Sequence, residues 1–481
     1  MNAIKISFFL LLVMFLNNAF AQSGSFSSVQ MIGGGTSSNT RPRIALNNMN
    51  YPVITWNKTS NKIVSYSAWN GTSFNTPITL TPSGLQADVF TWAGQEIASI
   101  KDTVYIVYAS LIGTESNLFI HKSVNGGSTF SDTVRVSNVG TDKSRFPSIA
   151  INGNGQPVVT FMRMMSSWAM PHYAVANSMN GGASFMYDVD ATSSLTGNEV
   201  CDCCPSTIVC KNSQQAVLFR DNASNQRDIK AVMSFNNGVT FDSIKKVDLN
   251  NWILNACPST GPDGHFGTDS LYSVFSSGAT SPMQAYISVI NASTMQVGTH
   301  KVISTSTDMQ QYPRIAGNKD TIGIVWQQGN KVMFSYSKNG VAALSNVLMV
   351  NDSLDLSSNP DIAYSNQVFH IVWQSNSGMV HYRTFDMNGA LDIRNFEANE
   401  ISISPNPSSS AWLVALGAQP ENVFLALYDV HGNMMYSKVF PANMPIQQSI
   451  SNIQWKSGNY FLKLNSGKKS STIKLTKLGY E

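Results

Sequence analysis

Apolar residues along this chain fall in short runs, each about the length of one strand. After "RPRIALNN" (Arg41 to Asn48) come "PVITWN", "KIVSYSAW" and "FNTPITLT"; after "YPRIAGN" (Tyr312 to Asn318) come "TIGIVWQ", "KVMFSYS" and "SNVLMVN". The runs are β-branched and aromatic, and Asn, Gly and Ser punctuate them. A chain rich in Ser, Asn, Thr and Gly and poor in Glu suits strands and turns, not helices.

One pattern orders these runs: a variable residue, Pro, any residue, then usually an apolar pair. It recurs as "RPRIA", "FPSIA", "CPSTI", "CPSTG", "YPRIA" and "NPDIA", with prolines at 42, 147, 205, 258, 313 and 360. The first gap spans two periods, with a degenerate copy near "AGQEIASI" (Ala93 to Ile100). The reading is seven units of about fifty residues, the repeat length of propeller blades. Four strands make one blade, and a closed ring of blades hides its sheet edges. Pro fits the first residue of the innermost strand, where its missing N–H costs no ladder bond. The seventh unit, Asn359 to about Asp392, is one strand short, and "SSVQMI" (Ser27 to Ile32) is expected to supply it.

A second motif keeps the same period. "SVNGGSTF" (Ser123 to Phe130), "SMNGGASF" (Ser178 to Phe185) and "SFNNGVTF" (Ser234 to Phe241) share one frame, with looser copies at Ser67 to Phe74 and Ser337 to Gly340. Asn caps its own turn, Gly takes the positive φ, a hydroxyl bonds the turn and Phe fills the gap between units. This frame resembles the Asp-box (BNR repeat) of sialidase-like β-propellers, with Asn in the Asp position. The resemblance implies a structural turn between the outer two strands, away from any active site. The fold expectation is therefore all-β: a seven-bladed β-propeller, six-bladed as the alternative, over residues 22–393, then a linker at 394–400 and a small β-sandwich at 401–481.

The last segment breaks the repeat. "ISISPNPSSS" (Ile401 to Ser410), "VFLALYDVHGNMMYSKVF" (Val423 to Phe440) and "SGNYFLKLNSGKKSSTIKLTKL" (Ser457 to Leu478) resemble the type A sorting domain of the type IX secretion system. That implies the type IX machinery as a partner, and release or attachment at the outer surface. At the other end, Lys5, the apolar run Ile6 to Leu16 and the small-x-small site Ala19-Phe20-Ala21 read as a signal peptide over residues 1–21. No later stretch is long and apolar enough to span a bilayer as a helix. With 12% charged residues and a net charge of +3, spread without blocks, the chain lacks the basic footprint of a nucleic-acid binder.

Four of the five cysteines lie in "EVCDCCPSTIVC" (Glu199 to Cys210). Cys204 and Cys257 each precede a repeat proline in neighbouring units, so a Cys204–Cys257 disulfide is the first expectation in an exported protein. Pairings that use Cys201 or Cys203 stay open, including a vicinal Cys203–Cys204 bond. The other reading is a soft-metal site, with copper held by Cys204, Cys257, Met165, Met170 and His172. No other cofactor is expected, and the cysteine spacing fits no zinc finger.

The sialidase resemblance implies an arginine clamp for a carboxylate, a Tyr–Glu pair and an acidic acid/base. Arg43 and Arg314 share a repeat position, but the family's Arg-Ile-Pro signature is absent, and no catalytic residue carries over. "RDNASNQRD" (Arg220 to Asp228) is the other candidate. Arg220 and Arg227, with Trp168 and Trp252, could bind a glycan or surface polymer. Glu199, Asp202, Asp221 and Asp228 could serve a glycoside hydrolase, while a salt-bridged hairpin is the plainer reading of this loop. The candidates are expected together on the face where loops enter the innermost strands.

Overall fold

The computed structural model describes residues 24–32, 38–112, 115–137, 140–192, 199–351, 356–388, 400–467 and 469–479. The expected signal peptide at 1–21 lies outside the described residues, as does the expected linker at 394–400 apart from Glu400. The chain divides into two compact units, Met1–Met387 and Asn388–Glu481.

The first unit is all-β and repeats one module, an antiparallel sheet of about four strands. Asn39–Leu46, Pro52–Lys58, Ile63–Ala68 and Ile78–Thr79 form one such sheet in chain order. Sheets beginning at Thr207–Lys211, Asp263–Phe266 and Gln310–Asn318 repeat that order. Two further modules begin at Glu96–Ile100 and Lys143–Ile151, and a single parallel pairing, Ser116 with Lys143, joins them into one sheet. In the last module Ser357–Ser365, Val368–Ser375 and Val380–Asp386 pair in turn, and Val380–Asp386 also pairs with Ser25–Phe26 and Gln30–Ile32 from the chain's start.

The second strand of each module is buried along most of its length because both its faces are covered. Pro52–Asn57 and Ala216–Arg220 are buried throughout. Their side chains enter cores shared by successive modules, such as the one joining Val158 and Tyr173 to Val217 and Phe219.

Four of the six repeat prolines sit inside the first strand at a bulge, not at its first residue, while Pro205 and Pro258 precede their strands. Register shifts at Thr40/Arg43, Arg145/Ser148, Gln311/Arg314 and Ser358/Asp361 bracket Pro42, Pro147, Pro313 and Pro360. The residue before each takes a positive φ of 48–51°. The bulge leaves one residue unpaired, so Pro again removes no ladder bond.

The Asn-Gly turns follow one blueprint. Ser123 Oγ accepts from the Gly127 N–H at 2.9 Å, and Asn125 Oδ1 from the Thr129 N–H at 3.0 Å. Ser178/Asn180 and Ser234/Asn236 repeat both bonds. Gly127, at φ +88°, would place a Cβ 2.6 Å from Val53 of the preceding module, so the turn requires glycine there. Phe130 then stacks edge-on against Tyr66 of that module at 4.7 Å.

In the second unit, Ile401–Ser404, Ala411–Leu416 and Ile446–Ser451 form a three-stranded sheet. Met434–Phe440, Val423–Tyr428, Gly458–Ser466 and Lys469–Lys477 form a four-stranded one. Trp412, Leu425 and Leu462 are fully buried in the core that the two sheets share.

Candidate functional site

One residue of each first strand, at its bulge or at its first position, points to a common centre. Arg43, Glu96, Ser148, Thr207, Asp263, Arg314 and Asp361 occupy this place in successive modules. Glu96 accepts an ion pair from Arg41, from Arg43 Nε at 3.2 Å and from Arg314 at 3.5 Å. Arg314 Nε also lies 2.8 Å from Asp361 and 3.4 Å from Asp263. Three guanidiniums and three carboxylates thus neutralise one another.

The same positions tie neighbouring modules together. Ser148 Oγ accepts from the Ile208 N–H at 3.2 Å, Asp263 from Ile315 at 2.9 Å and Asp361 from Ile44 at 3.0 Å. Burial opposes the Glu96 charge, but Arg41, Arg314 and Arg43 outweigh it and bring its pKa to about 2. Asp263 goes the other way: burial lifts it to about 6 against the pull of Arg314.

This charged layer floors a cavity of about 620 Å³. Ile44, Glu96, Ile149, Val209, Asp263, Arg314 and Asp361 line it, drawn from the first strand of every module, with Cys210, Lys211, His265, Thr268 and Lys319 among the other lining residues. On the other side of the layer, between Trp92, Pro205, Pro262 and Pro313, only about 20 Å³ remains. The spacious side therefore lies toward the ends of the first strands, opposite Cys201, Cys203, Cys204 and Cys257 and the expected face.

His265 Nε2 is bonded to the Lys319 carbonyl at 2.9 Å, and Lys211 Nζ donates to the Gly267 carbonyl at 2.7 Å. Burial pushes the Cys210 thiol up to about 12. Sequence reasoning noticed Arg43 and Arg314 at one repeat position and missed Glu96, Asp263, Asp361, Lys211 and His265. The residue after the repeat proline was an available signal for Asp361 alone.

The cysteines assemble differently from the first expectation. Cys203, not Cys204, is bonded to Cys257, with Cα atoms 6.2 Å apart. The fifth module starts at Asp263, after Pro262, so Pro258 is not its repeat proline, and Cys257 does not share a repeat position with Cys204. Cys201 and Cys204 are buried free thiols, and Cys201 Sγ lies 3.4 Å from Cys203 Sγ and 3.3 Å from Cys204 Sγ. The copper set is not assembled. Cys257 is taken by the disulfide, Met165 and Met170 are exposed, and His172 bonds the Met170 carbonyl at 3.2 Å.

The Arg-Asp loop takes the salt-bridged form. Asp221 pairs with Lys230 at 2.7 Å, and Asp228 with Lys246 at 2.6 Å, both carboxylates fully buried. Asp228 also accepts from the Trp252 N–H at 2.9 Å. Arg220 is buried and donates to the Thr260, Arg227 and Ser276 carbonyls, with its guanidinium 5.2 Å from the Trp252 ring. Arg227 Nε donates to the Leu254 carbonyl at 2.9 Å. Glu199 and Asp202 are exposed, and Glu199 accepts from Asn222 at 2.8 Å. Trp168 is exposed beside Arg145, 5.1 Å from the ring centre. The structure thus engages Asp221 and Asp228 with lysines and Glu199 with Asn222.

Residues 402–477 match the family described as the secretion system C-terminal sorting domain. The chain thus carries a type IX sorting domain, consistent with secretion or surface attachment. No helix among the described residues is long and apolar enough to cross a membrane.

The chain is also similar to solved structures. One is a protein of unknown function from Dyadobacter fermentans, at 9% identity, covering 76% of this chain and 99% of that one with a TM-score of 0.47. A second is an inactive virginiamycin B lyase from Staphylococcus aureus, at 14% identity, covering 75% and 99% with a TM-score of 0.45. A third is an α-L-arabinofuranosidase of Fusarium graminearum, at 9% identity, covering 75% and 97% with a TM-score of 0.41. No curated protein matches the sequence.

Proposed function

We propose that residues 22–393 form a closed, seven-bladed, sialidase-like β-propeller that binds a neutral extracellular glycan or surface polymer in its central cavity. Residues 401–481 then deliver it through the type IX system. Three observations support ring closure: one cavity receives a strand from each module, Asp361 of the last module bonds Ile44 of the first, and the chain's start pairs with Val380–Asp386.

The observation that carries the ligand reading is the 620 Å³ cavity over a self-neutralised charged floor. Arginines already paired with Glu96 and Asp361 have no free fork for a sugar carboxylate, while polar groups at the walls suit hydroxyls. A glycan array on the mature protein tests this. His265→Ala with Lys211→Ala should cut binding of the best neutral glycan at least about tenfold. Binding that survives this pair and is lost on Trp168→Ala refutes the cavity as the site.

A second reading is glycoside hydrolysis on the same floor. Arg314 touches a carboxyl that keeps its proton to about pH 6, Asp263, and one ionised down to about pH 2, Glu96. A raised and a lowered carboxyl side by side is the division of labour that glycosidic cleavage uses. Turnover of any glycan by the wild type that Asp263→Asn leaves intact eliminates this reading.

A further inference from the structure

The sulfur cluster behind the belt is placed for chemistry that the cavity does not use. Its four members differ sharply in access. Cys257 is exposed and Cys203 half-buried, whereas Cys201 and Cys204 are 1% and 0% exposed. All of them are in reach of one another in sequence along the path Cys257, Cys203, Cys201, Cys204: one covalent bond, then 3.4 Å, then 3.3 Å between sulfurs.

The surroundings favour a thiolate at the middle of that path. Arg220 and Arg227 donate to backbone carbonyls, and among the described residues neither forms an ion pair with a carboxylate. Buried cations seek an anion. The hydrogen bond between the Cys201 and Cys204 sulfurs, with the Cys203 N–H, Arg227 and Arg220, outweighs burial and lowers Cys201 to about 7. Cys204 itself, buried beside Cys201, is pushed well up and keeps its proton, and Tyr173, whose hydroxyl donates to the Cys204 carbonyl, is raised as well.

We propose that these four cysteines form a disulfide relay that carries two electrons from the buried Cys201/Cys204 dithiol to a small-molecule disulfide at Cys257. In the first step the Cys201 thiolate attacks Cys203 Sγ. The Cys201–Cys203 bond forms, the Cys203–Cys257 bond breaks, and Cys257 leaves as an exposed thiolate. Cys257 then attacks the external disulfide, forming a mixed disulfide and releasing one thiolate. Cys204, giving up its proton to solvent, attacks Cys201 and frees the Cys203 thiolate. Cys203 attacks Cys257 in the mixed disulfide, restores the Cys203–Cys257 bond and releases the second thiolate, and the two leaving thiolates take up protons by their own pKa. The net change is one external disulfide reduced to two thiols and one Cys201–Cys204 disulfide formed.

The test uses the mature full-length chain and dithiodipyridine, which releases coloured thiopyridone. The wild type should release about two equivalents per chain, and peptide mapping should then find Cys201–Cys204 linked, Cys203–Cys257 retained and Cys210 unmodified. Cys203→Ser with Cys257→Ser removes the route, and release from the native fold should slow at least about tenfold. Equal rates in the two proteins overturn the relay, because the buried thiols would then be reached by local opening.

A second measurement needs no variant. Iodoacetamide added to the untreated native wild type should trap Cys257 as an alkyl adduct, with Cys201 in a new disulfide. Cys257 found only in its bond to Cys203 after prolonged trapping refutes the proposal. So does protein isolated without chelator in which the four sulfurs are reduced and hold a stoichiometric metal ion.

Discussion

Replacing Glu96 by Gln tests whether the charged belt stabilises the fold by charge or merely fills space. Gln keeps the shape and loses the anion that Arg41, Arg43 and Arg314 share. The folded chain holds Glu96 at about 2, against an ordinary value of 4.5. That difference amounts to about 3.4 kcal/mol of stability at neutral pH. Breaking a buried ion pair from one side costs about the same, roughly 3–5 kcal/mol.

The pH dependence has a definite sign. A carboxyl whose folded pKa is depressed contributes fully above its unfolded value, and the contribution fades as pH falls through the folded value. At pH 3 about 1.4 kcal/mol remains. With an unfolding entropy of about 2.1 cal/mol/K per residue over residues 24–388, 3.4 kcal/mol corresponds to about 4 °C. Calorimetry of wild type and Glu96→Gln should therefore show a Tm gap of about 4 °C at pH 7 that shrinks by more than half at pH 3. A gap that is unchanged at pH 3 would mean that packing, not charge, sets the cost. No gap at either pH would mean that the three guanidiniums need no anion at Glu96.

Asp263 should show the opposite trend, because its folded value of about 6 lies above the ordinary 3.8. Its contribution is lost as pH rises through that window, so Asp263→Asn should unfold later than wild type at pH 7.5 and alongside it near pH 3, in paired urea titrations. In the Asn-Gly turns, Asn180→Asp should stay within about 0.5 kcal/mol of wild type, since the Oδ1 acceptor for Ser184 survives, while Asn180→Ala costs about 1 kcal/mol in the same titrations. Reducing the Cys203–Cys257 bond, which spans 54 residues, should lower stability by about 4 kcal/mol, measured as the shift in urea midpoint with and without reductant. Deleting residues 402–477 should hold the protein inside the outer membrane, seen as its loss from medium and cell surface in fractionation blots.

The repeat was legible because its determinants are local. A bulge with Pro, an apolar run buried on both faces and a turn of Ser, Asn and Gly each leave a short mark in the sequence. The fifth module was misread for the same reason. "CPSTG" copies the string at Cys204 to Ile208, but its strand starts three residues beyond the matching position, after Pro262. That slip displaced Cys257 and hid Asp263. The belt was illegible as a unit because its members stand about fifty residues apart and only the fold brings them together. Asp221 and Asp228 looked reactive beside Arg220 and Arg227, yet their partners proved to be Lys230 and Lys246 on adjacent strands. Which cation a carboxylate meets across a sheet depends on register, which composition does not reveal.

The pairing of Gln30–Ile32 with Val380–Asp386 has a consequence for biogenesis. Residues at the extreme front of the chain wait for a strand made some three hundred and fifty positions later. Until both have emerged, Val380–Asp386 presents an open edge that any extended peptide could occupy. The last module of the first unit is thus completed only once both ends of that unit are present. A truncation that removed only the first strands would leave a sticky, nearly complete protein instead of a smaller stable one.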